Sequence, residues 1–331
     1  MLRARYIALR LKKLHFAPGG TFATRSVRRR DLLRRVAHCG SVDAGAHSAM
    51  FGARQEARQE MPTNFSKELL VTPGKKVTLG KWDPDDTLGW EKGHKMTASL
   101  DKSCERLDKL QYLLYAEHKR ALLVVLQGLD AAGKDGAIRH VMSGVNPQGC
   151  TVTPFKKPSP EEMEHDFLWR IHKAVPEYGD IGIFNRSYYE DVLIVRVHNL
   201  VPKDVWSRRY DQINEFEKLL QHNNIRIVKF FLHISKEEQK KRFQQRIDDP
   251  DRRWKISEAD FAERKFWDDY TAAYEAVLTK CSTDHSPWYV IPSNRKWFRN
   301  LAISHILVET LEAMHMKFPA PTVDVKKLKW K

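Results

Sequence analysis

The chain has 331 residues, 57 Lys and Arg against 42 Asp and Glu, and 42% hydrophobic side chains. That is enough apolar material for one large buried core, and the longest apolar runs, at 121–126 and 225–234, fall well short of the ~20 residues a bilayer requires. Four cysteines, Cys39, Cys104, Cys150 and Cys281, lie far apart with no C-x-x-C pair. This pattern argues against a zinc site or a disulfide framework and fits a reducing compartment.

A formal charge of +15 points to nucleic acid, a membrane surface or a polyanionic substrate, so its distribution matters. Residues 1–60 carry 13 basic against 4 acidic side chains, and the remaining chain carries 44 against 38. The first thirty residues hold nine Lys or Arg and no acid, as an organellar transit peptide does. Met61 is followed by P-T-N-F-S-K-E-L-L-V, a domain start, so the same segment reads equally as an extension translated from an upstream start. On either reading, 1–60 is a basic, poorly ordered extension outside the fold and 61–331 is the working domain. The location is then cytoplasmic, or organellar if the leader is genuine.

In chain order, a helix is expected over 98–118, then a strand over 122–127 and a helix over 134–145. A strand over 150–155 precedes a helix over 159–174, and a strand over 180–184 precedes a helix over 203–222. A strand over 225–234, a helix over 235–248, a long helix over 257–280, a strand over 288–292 and a helix over 294–316 complete the reading. Branched apolar runs alternating with helical patterns define an α/β class with a five-stranded parallel sheet. The tryptophans Trp206, Trp254, Trp267 and Trp297, set in helical patterns, read as core or interface.

The segment Gly128 to Asp135, G-L-D-A-A-G-K-D, follows the first strand and opens a helix. That context gives weight to the G-x-x-x-x-G-K match at Gly128, Gly133 and Lys134. The glycines let successive N–H groups converge on one anion, the helix beginning through Asp135 and Gly136 adds its positive end, and Lys134 supplies a mobile charge. Position 135 is Asp where a hydroxyl would ordinarily meet magnesium. Asp130 inside the loop is therefore the expected metal ligand, for Mg²⁺ or Mn²⁺.

The third strand ends in N-R-S-Y-Y-E-D, placing Asn185, Arg186, Glu190 and Asp191 where such sheets face their ligand. Arg186 reads as a phosphate clamp and Asp191 as a second metal ligand. Lys156 and Lys157 lie just beyond the second strand and read as part of an anion path. Arg242 and Arg246, four residues apart on one helix face and followed by Pro250 and a basic loop, read as a phosphate-covering lid over about 242–262.

The strings L-Q-G-L-D-A-A-G-K-D-G, F-K-K-P-S, H-D-F-L-W-R, I-F-N-R-S-Y-Y-E-D-V and K-F-F-L-H-I-S-K-E-E-Q together resemble the polyphosphate kinase 2 family from about Leu70 to Lys317. The resemblance implies a P-loop kinase-like three-layer sandwich with a helical lid, and Mg²⁺-dependent phosphoryl exchange between inorganic polyphosphate and AMP, ADP and ATP. It implies catalytic roles for Asp130, Lys134, Arg186 and Arg246, and a homo-oligomer, dimer or tetramer. Asn185 and Glu190 stand where one branch has aspartate and asparagine, so the chain resembles the third subclass, which phosphorylates nucleoside mono- and diphosphates. An ATP-dependent nucleotide kinase is the alternative. A basic nucleic-acid-binding P-loop protein is less favoured, because the excess charge lies before Met61 and no stacking or helix-turn-helix pattern stands out; neither specific nucleic acid nor membrane is expected as a partner.

Overall fold

The computed structural model describes residues 63–328, so the expectations for residues 1–60 lie outside it. Five strands, β1 (Ala121–Gln127), β2 (Cys150–Pro154), β3 (Ile181–Asn185), β4 (Ile225–His233) and β5 (Trp288–Pro292), pair in parallel in the order β2-β3-β1-β4-β5. β1 is buried at every position, as a central strand covered on both faces must be. Its side chains alternate between two cores: Leu122, Val124 and Leu126 enter one, Leu123 and Val125 the other. β2, at the edge, is largely exposed and ends in Pro154, which an edge strand tolerates.

The principal helices are α1 (His94–Glu117), α2 (Lys134–Val141), α3 (Lys203–His222), α4 (Lys236–Asp248), α5 (Glu258–Glu263), α6 (Trp267–Cys281) and α7 (Lys296–Glu312). α1, α2 and α7 cover one face of the sheet through Leu107, Leu114, Val141 and Leu301. α3 and α6 cover the other through Tyr210, Ile213, Val277 and Leu278. The result is the expected three-layer α/β sandwich. Because β3 lies on one side of β1 and β4 on the other, a crevice opens at the carboxyl ends of these strands, where the functional loops gather.

All five strands match the sequence reading to within a residue at each end; the helices expected over 98–118, 134–145 and 294–316 form with ends shifted by up to four residues, and two further helices break up. The helix expected over 159–174 is two short turns, Pro160–Met163 and Trp169–His172. Between them the Asp166 carboxylate accepts the Leu168 N–H at 2.9 Å, a local bond that competes with the helical ladder. The helix expected over 257–280 is α5, a 3-10 turn at Arg264–Phe266, and α6. At the break, Arg264 donates to the Gln239 side chain at 2.6 Å and to the Lys236 carbonyl, tying the turn to α4.

Lys229, in the middle of β4, is fully buried, and its ammonium bonds Glu217 of α3 at 2.5 Å, the Tyr189 hydroxyl at 3.0 Å and the Cys281 carbonyl at 2.7 Å. The other Glu217 oxygen accepts from the Tyr188 and Tyr189 hydroxyls at 2.7 and 2.8 Å. Every donor of the lysine is used, which is the condition for holding a charge inside a core. The network anchors the segment that follows Arg186 to β4, α3 and the end of α6. Replacing Lys229 by Met strands Glu217 as an unpaired buried carboxylate. The expected loss is about 3–5 kcal/mol in urea unfolding, with a substantial part recovered by adding Glu217→Leu.

Candidate active site

β1 delivers the chain directly into the phosphate loop. Gly128 has φ +154°, and a Cβ there would lie 2.9 Å from the Leu232 carbonyl oxygen on β4, so only glycine lets the loop leave the sheet at this point. Ala131 adopts φ +62°, a left-handed conformation uncommon for alanine, and Gly133 follows at φ +102° as the N-cap of α2. No side chain caps this helix start, which leaves its first-turn N–H groups available to an anion. Lys134 is buried, and its ammonium donates to the Gly128 carbonyl at 2.7 Å. Burial, then the Arg186 charge, pull its pKa below the usual lysine value against the opposing pull of Asp130, Glu190 and Asp135.

Around the loop, Arg186 Nη2 pairs with Asp130 Oδ1 at 2.9 Å. Asn185 donates to Asp135 at 2.7 Å, and Gln127 donates to Glu190 at 3.2 Å. Burial opposes the Arg186 charge, but Glu190 and Asp130 outweigh it and raise its pKa. Arg186 itself has φ +64°, and its backbone N–H bonds the Leu126 carbonyl of β1 at 3.1 Å. This left-handed residue turns the chain out of β3 so that the guanidinium points back at the loop.

Two cavities meet here. The wider, about 990 Å³, is lined by ten lysines and arginines, Lys134, Lys156, Arg186 and Arg246 among them, against four aspartates. The smaller, about 260 Å³, is lined by Glu190, Glu263, Trp267, Tyr270 and Tyr274 together with Leu193 and Ile194. Asp130, Arg186 and Asp260 line both. The wide cavity is therefore suited to a polyanion, and the small one to an aromatic ring with hydroxyls.

Several expected residues converge on these cavities: Asp130, Gly133, Lys134, Asp135, Gly136, Lys156, Asn185, Arg186, Arg242 and Arg246 on the wide one, Gly128 and Glu190 on the small one. Asp191 does not. It lines neither cavity and pairs with Arg209 of α3 at 2.9 Å, with its pKa pushed up to about 6 because burial outweighs Arg209 and Arg170. The 3-10 turn over Tyr188–Val192 rotates it to the opposite side from Glu190. Arg242 also differs from the expectation of a phosphate ligand. Its guanidinium is occupied by Glu238 at 2.8 Å and by the carbonyls of Ala131, Ala132, Ser293 and Asn294 at 2.5–3.0 Å. Both arginines line the wide cavity, but the Arg242 guanidinium is committed to holding the loop from behind.

Other contributors went unrecognised in the sequence. Arg139, Lys296 and Arg299 line the wide cavity, and Gln239 bonds the Asp130 carbonyl at 2.9 Å. Trp254, read as a core or interface residue, is 77% exposed at the cavity wall, and Trp267 lines the smaller cavity. One signal was available for Lys296 and Arg299. They sit in the first turns of α7, the end at which the helix dipole disfavours cations.

A parallel sheet that feeds a glycine loop into a helix start, with a buried loop lysine beside a strongly basic cavity, defines a P-loop phosphotransferase. Residues 91–319 match the polyphosphate kinase 2 family, and the chain belongs to it. It is 50% identical over 263 residues to the AMP/ADP-polyphosphate phosphotransferase of Meiothermus ruber, covering 79% of this chain and 98% of that one. It is 49% identical over 269 residues to the ADP-polyphosphate phosphotransferase of Rhodopseudomonas palustris, covering 78% and 93%. The crystal structure of polyphosphate kinase 2 from Arthrobacter aurescens TC1 superposes with a TM-score of 0.76 at 43% identity, covering 79% and 94%.

A methyl group on Gly133 would lie 2.1 Å from Arg299 Nη1 and would impose φ +102° on an alanine. Gly133→Ala is expected to cost at least about 1–3 kcal/mol in thermal unfolding and to reduce turnover with the displaced loop.

Proposed function

We propose that the chain transfers phosphoryl groups reversibly between inorganic polyphosphate and adenine nucleotides, forming ADP from AMP and ATP from ADP. The observation that carries this reading is the pairing of a basic cavity, large enough for a chain of phosphates, with a small aromatic and acidic one at the shared Asp130–Arg186 pair. The acids of the small cavity repel a polyanion but accept hydrogen bonds from ribose hydroxyls and base amino groups, and its rings offer stacking surface. The nucleotide therefore enters there with its phosphate directed to Arg186, and polyphosphate enters the wide cavity against the loop.

The terminal phosphoryl group moves in line: a nucleotide phosphate oxygen forms the new P–O bond as the bond to the rest of the chain breaks, and the shortened polyphosphate departs with the released electron pair. No covalent enzyme intermediate is needed, because positioning and charge stabilisation supply the acceleration. Lys134 exchanges the Gly128 carbonyl for a phosphoryl oxygen, and the N–H groups at the start of α2 orient the same group. Arg186 bridges donor and acceptor, and Arg246 approaches from the lid segment, which also carries Arg252, Trp254 and Lys255. Closure of that segment excludes water, the competing acceptor.

The donor set suits a hard divalent cation. Asp130 Oδ1 is taken by Arg186, while Oδ2 accepts no protein hydrogen bond among the described residues. Among the described residues no three or more His, Cys, Asp or Glu side chains are grouped so that they could hold a metal ion by themselves. Asp130 would thus hold Mg²⁺ with phosphate oxygens and water completing the shell, the usual mode for that ion. When bound, the metal supplies neutralisation of charge on the transferring phosphates.

Incubating the protein with AMP, polyphosphate and Mg²⁺ in the absence of ATP is expected to yield ADP and then ATP. Dependence on added ATP as donor would overturn the assignment in favour of a conventional nucleotide kinase. Lys134→Ala is expected to lower kcat by at least about two orders of magnitude. In a metal titration of activity, Asp130→Asn should raise the half-saturating Mg²⁺ concentration while Asp191→Asn leaves it unchanged.

A further inference from the structure

Arg299 is held in an unusual electrostatic state. Its side chain is 2% exposed and packed against the outside of the phosphate loop. Nε and Nη2 share the single Asn300 Oδ1 acceptor at 3.1 and 2.8 Å, and Nη1 reaches the Ala132 carbonyl only at 3.4 Å. Among the described residues no carboxylate pairs with it. Burial, then the like charge of Arg242, push its pKa down to about 10. Lys296, one turn earlier on α7, is exposed, yet partial desolvation, then Arg242 and Arg299, lower its pKa against the opposing pull of Glu238. Arg242 is buried like Arg299 but has Glu238 and four carbonyls around it.

An uncompensated buried charge destabilises a fold, and an apolar replacement of similar volume is often neutral or stabilising. The position is unfavourable on a second, independent count, since the helix dipole opposes a cation in the first turns of α7. Two unfavourable terms converge on a residue that lines the wide cavity next to the phosphate loop. A polyanion in that cavity would offset both.

We propose that Arg299 is a positioning residue for the polyphosphate donor: a fixed positive charge behind the loop whose burial is compensated when phosphate fills the wide cavity. This rests on the donor reading above and adds to it a coupling between stability and donor binding. The charge acts through the loop, at short range and in a site of low dielectric, where a preorganised charge is effective. A role confined to packing makes a different forecast, because removing a packing group weakens the fold and does not distinguish donor from acceptor.

The test uses the full-length chain with Arg299→Met and Arg299→Lys, following thermal unfolding with and without polyphosphate and the KM values for polyphosphate and AMP. The Met variant is expected to unfold without ligand at or above the wild-type temperature, and to show less than about half the wild-type stabilisation by polyphosphate. Its KM for polyphosphate is expected to rise about tenfold, with the KM for AMP within about twofold. The Lys variant, which keeps the charge, should return the polyphosphate KM to within about threefold of wild type. A less stable Met variant with an unchanged polyphosphate KM, or a parallel rise of both KM values, would overturn the proposal. Should the Met variant fail to fold, a Lys variant with a tenfold higher polyphosphate KM would overturn it as well, because the charge is retained. A wild-type protein that forms no ADP from AMP and polyphosphate would defeat the donor reading instead. Polyphosphate-induced stabilisation, and its loss in the Met variant, would still report the charge coupling.

Discussion

The phosphate loop can present its N–H groups to an anion only if its carbonyls find partners on the other side, and Arg242 provides them. A single buried guanidinium bonds Ala131 and Ala132 of the loop and Ser293 and Asn294 after β5, with Glu238 completing the set. It joins two loops at the carboxyl end of the sheet, those after β1 and β5, to the helix that follows β4. The left-handed conformation of Ala131 and the crowding at Gly133 become tolerable because the loop is held from behind. This clamp explains how a short turn of small residues keeps a shape fit for phosphate.

A second buried network does comparable work for the opposite wall. Glu217, Lys229, Tyr188 and Tyr189 satisfy one another inside the second core, and the two tyrosines lie between Arg186 and Glu190 in the chain. Arg186 therefore projects from a rigid base. Its own left-handed backbone and its bond to β1 set the direction in which the guanidinium points. The reacting phosphates thus lie between two firmly held elements, while the basic segment over 246–255 faces them from α4 and the turn beyond it.

The charge of the molecule is arranged by depth. Exposed basic residues such as Lys156 and Lys296 can attract a polyanion at long range, subject to screening. Lys134, Arg242 and Arg299 are buried and act at short range, where desolvation makes each expensive to hold alone. Asp130 and Arg186 stand at the boundary between the two cavities and neutralise each other there. Incoming phosphate and metal can then take over the partners of an existing ion pair without exposing a bare charge.

Sequence alone determined the five strands, their parallel class and the loop at Gly128 to Lys134, because these follow from local periodicity and from glycine and lysine at fixed spacing, while the family came from the resemblance of longer strings such as I-F-N-R-S-Y-Y-E-D-V. It also gathered Asp130, Asn185, Arg186, Glu190 and Arg246 into one site, since parallel strands bring their carboxyl ends together. It did not separate Glu190 from Asp191, adjacent residues that a 3-10 turn sends to opposite sides, one to the small cavity and the other to Arg209. Nor did it show that Arg242, expected to bind phosphate, clamps the loop's carbonyls, or identify Arg299, which reaches the loop from α7 at the far end of the domain sequence. Tertiary structure decided these roles, because an arginine's function depends on which acceptors surround it, and those acceptors come from chain segments as much as 167 residues distant.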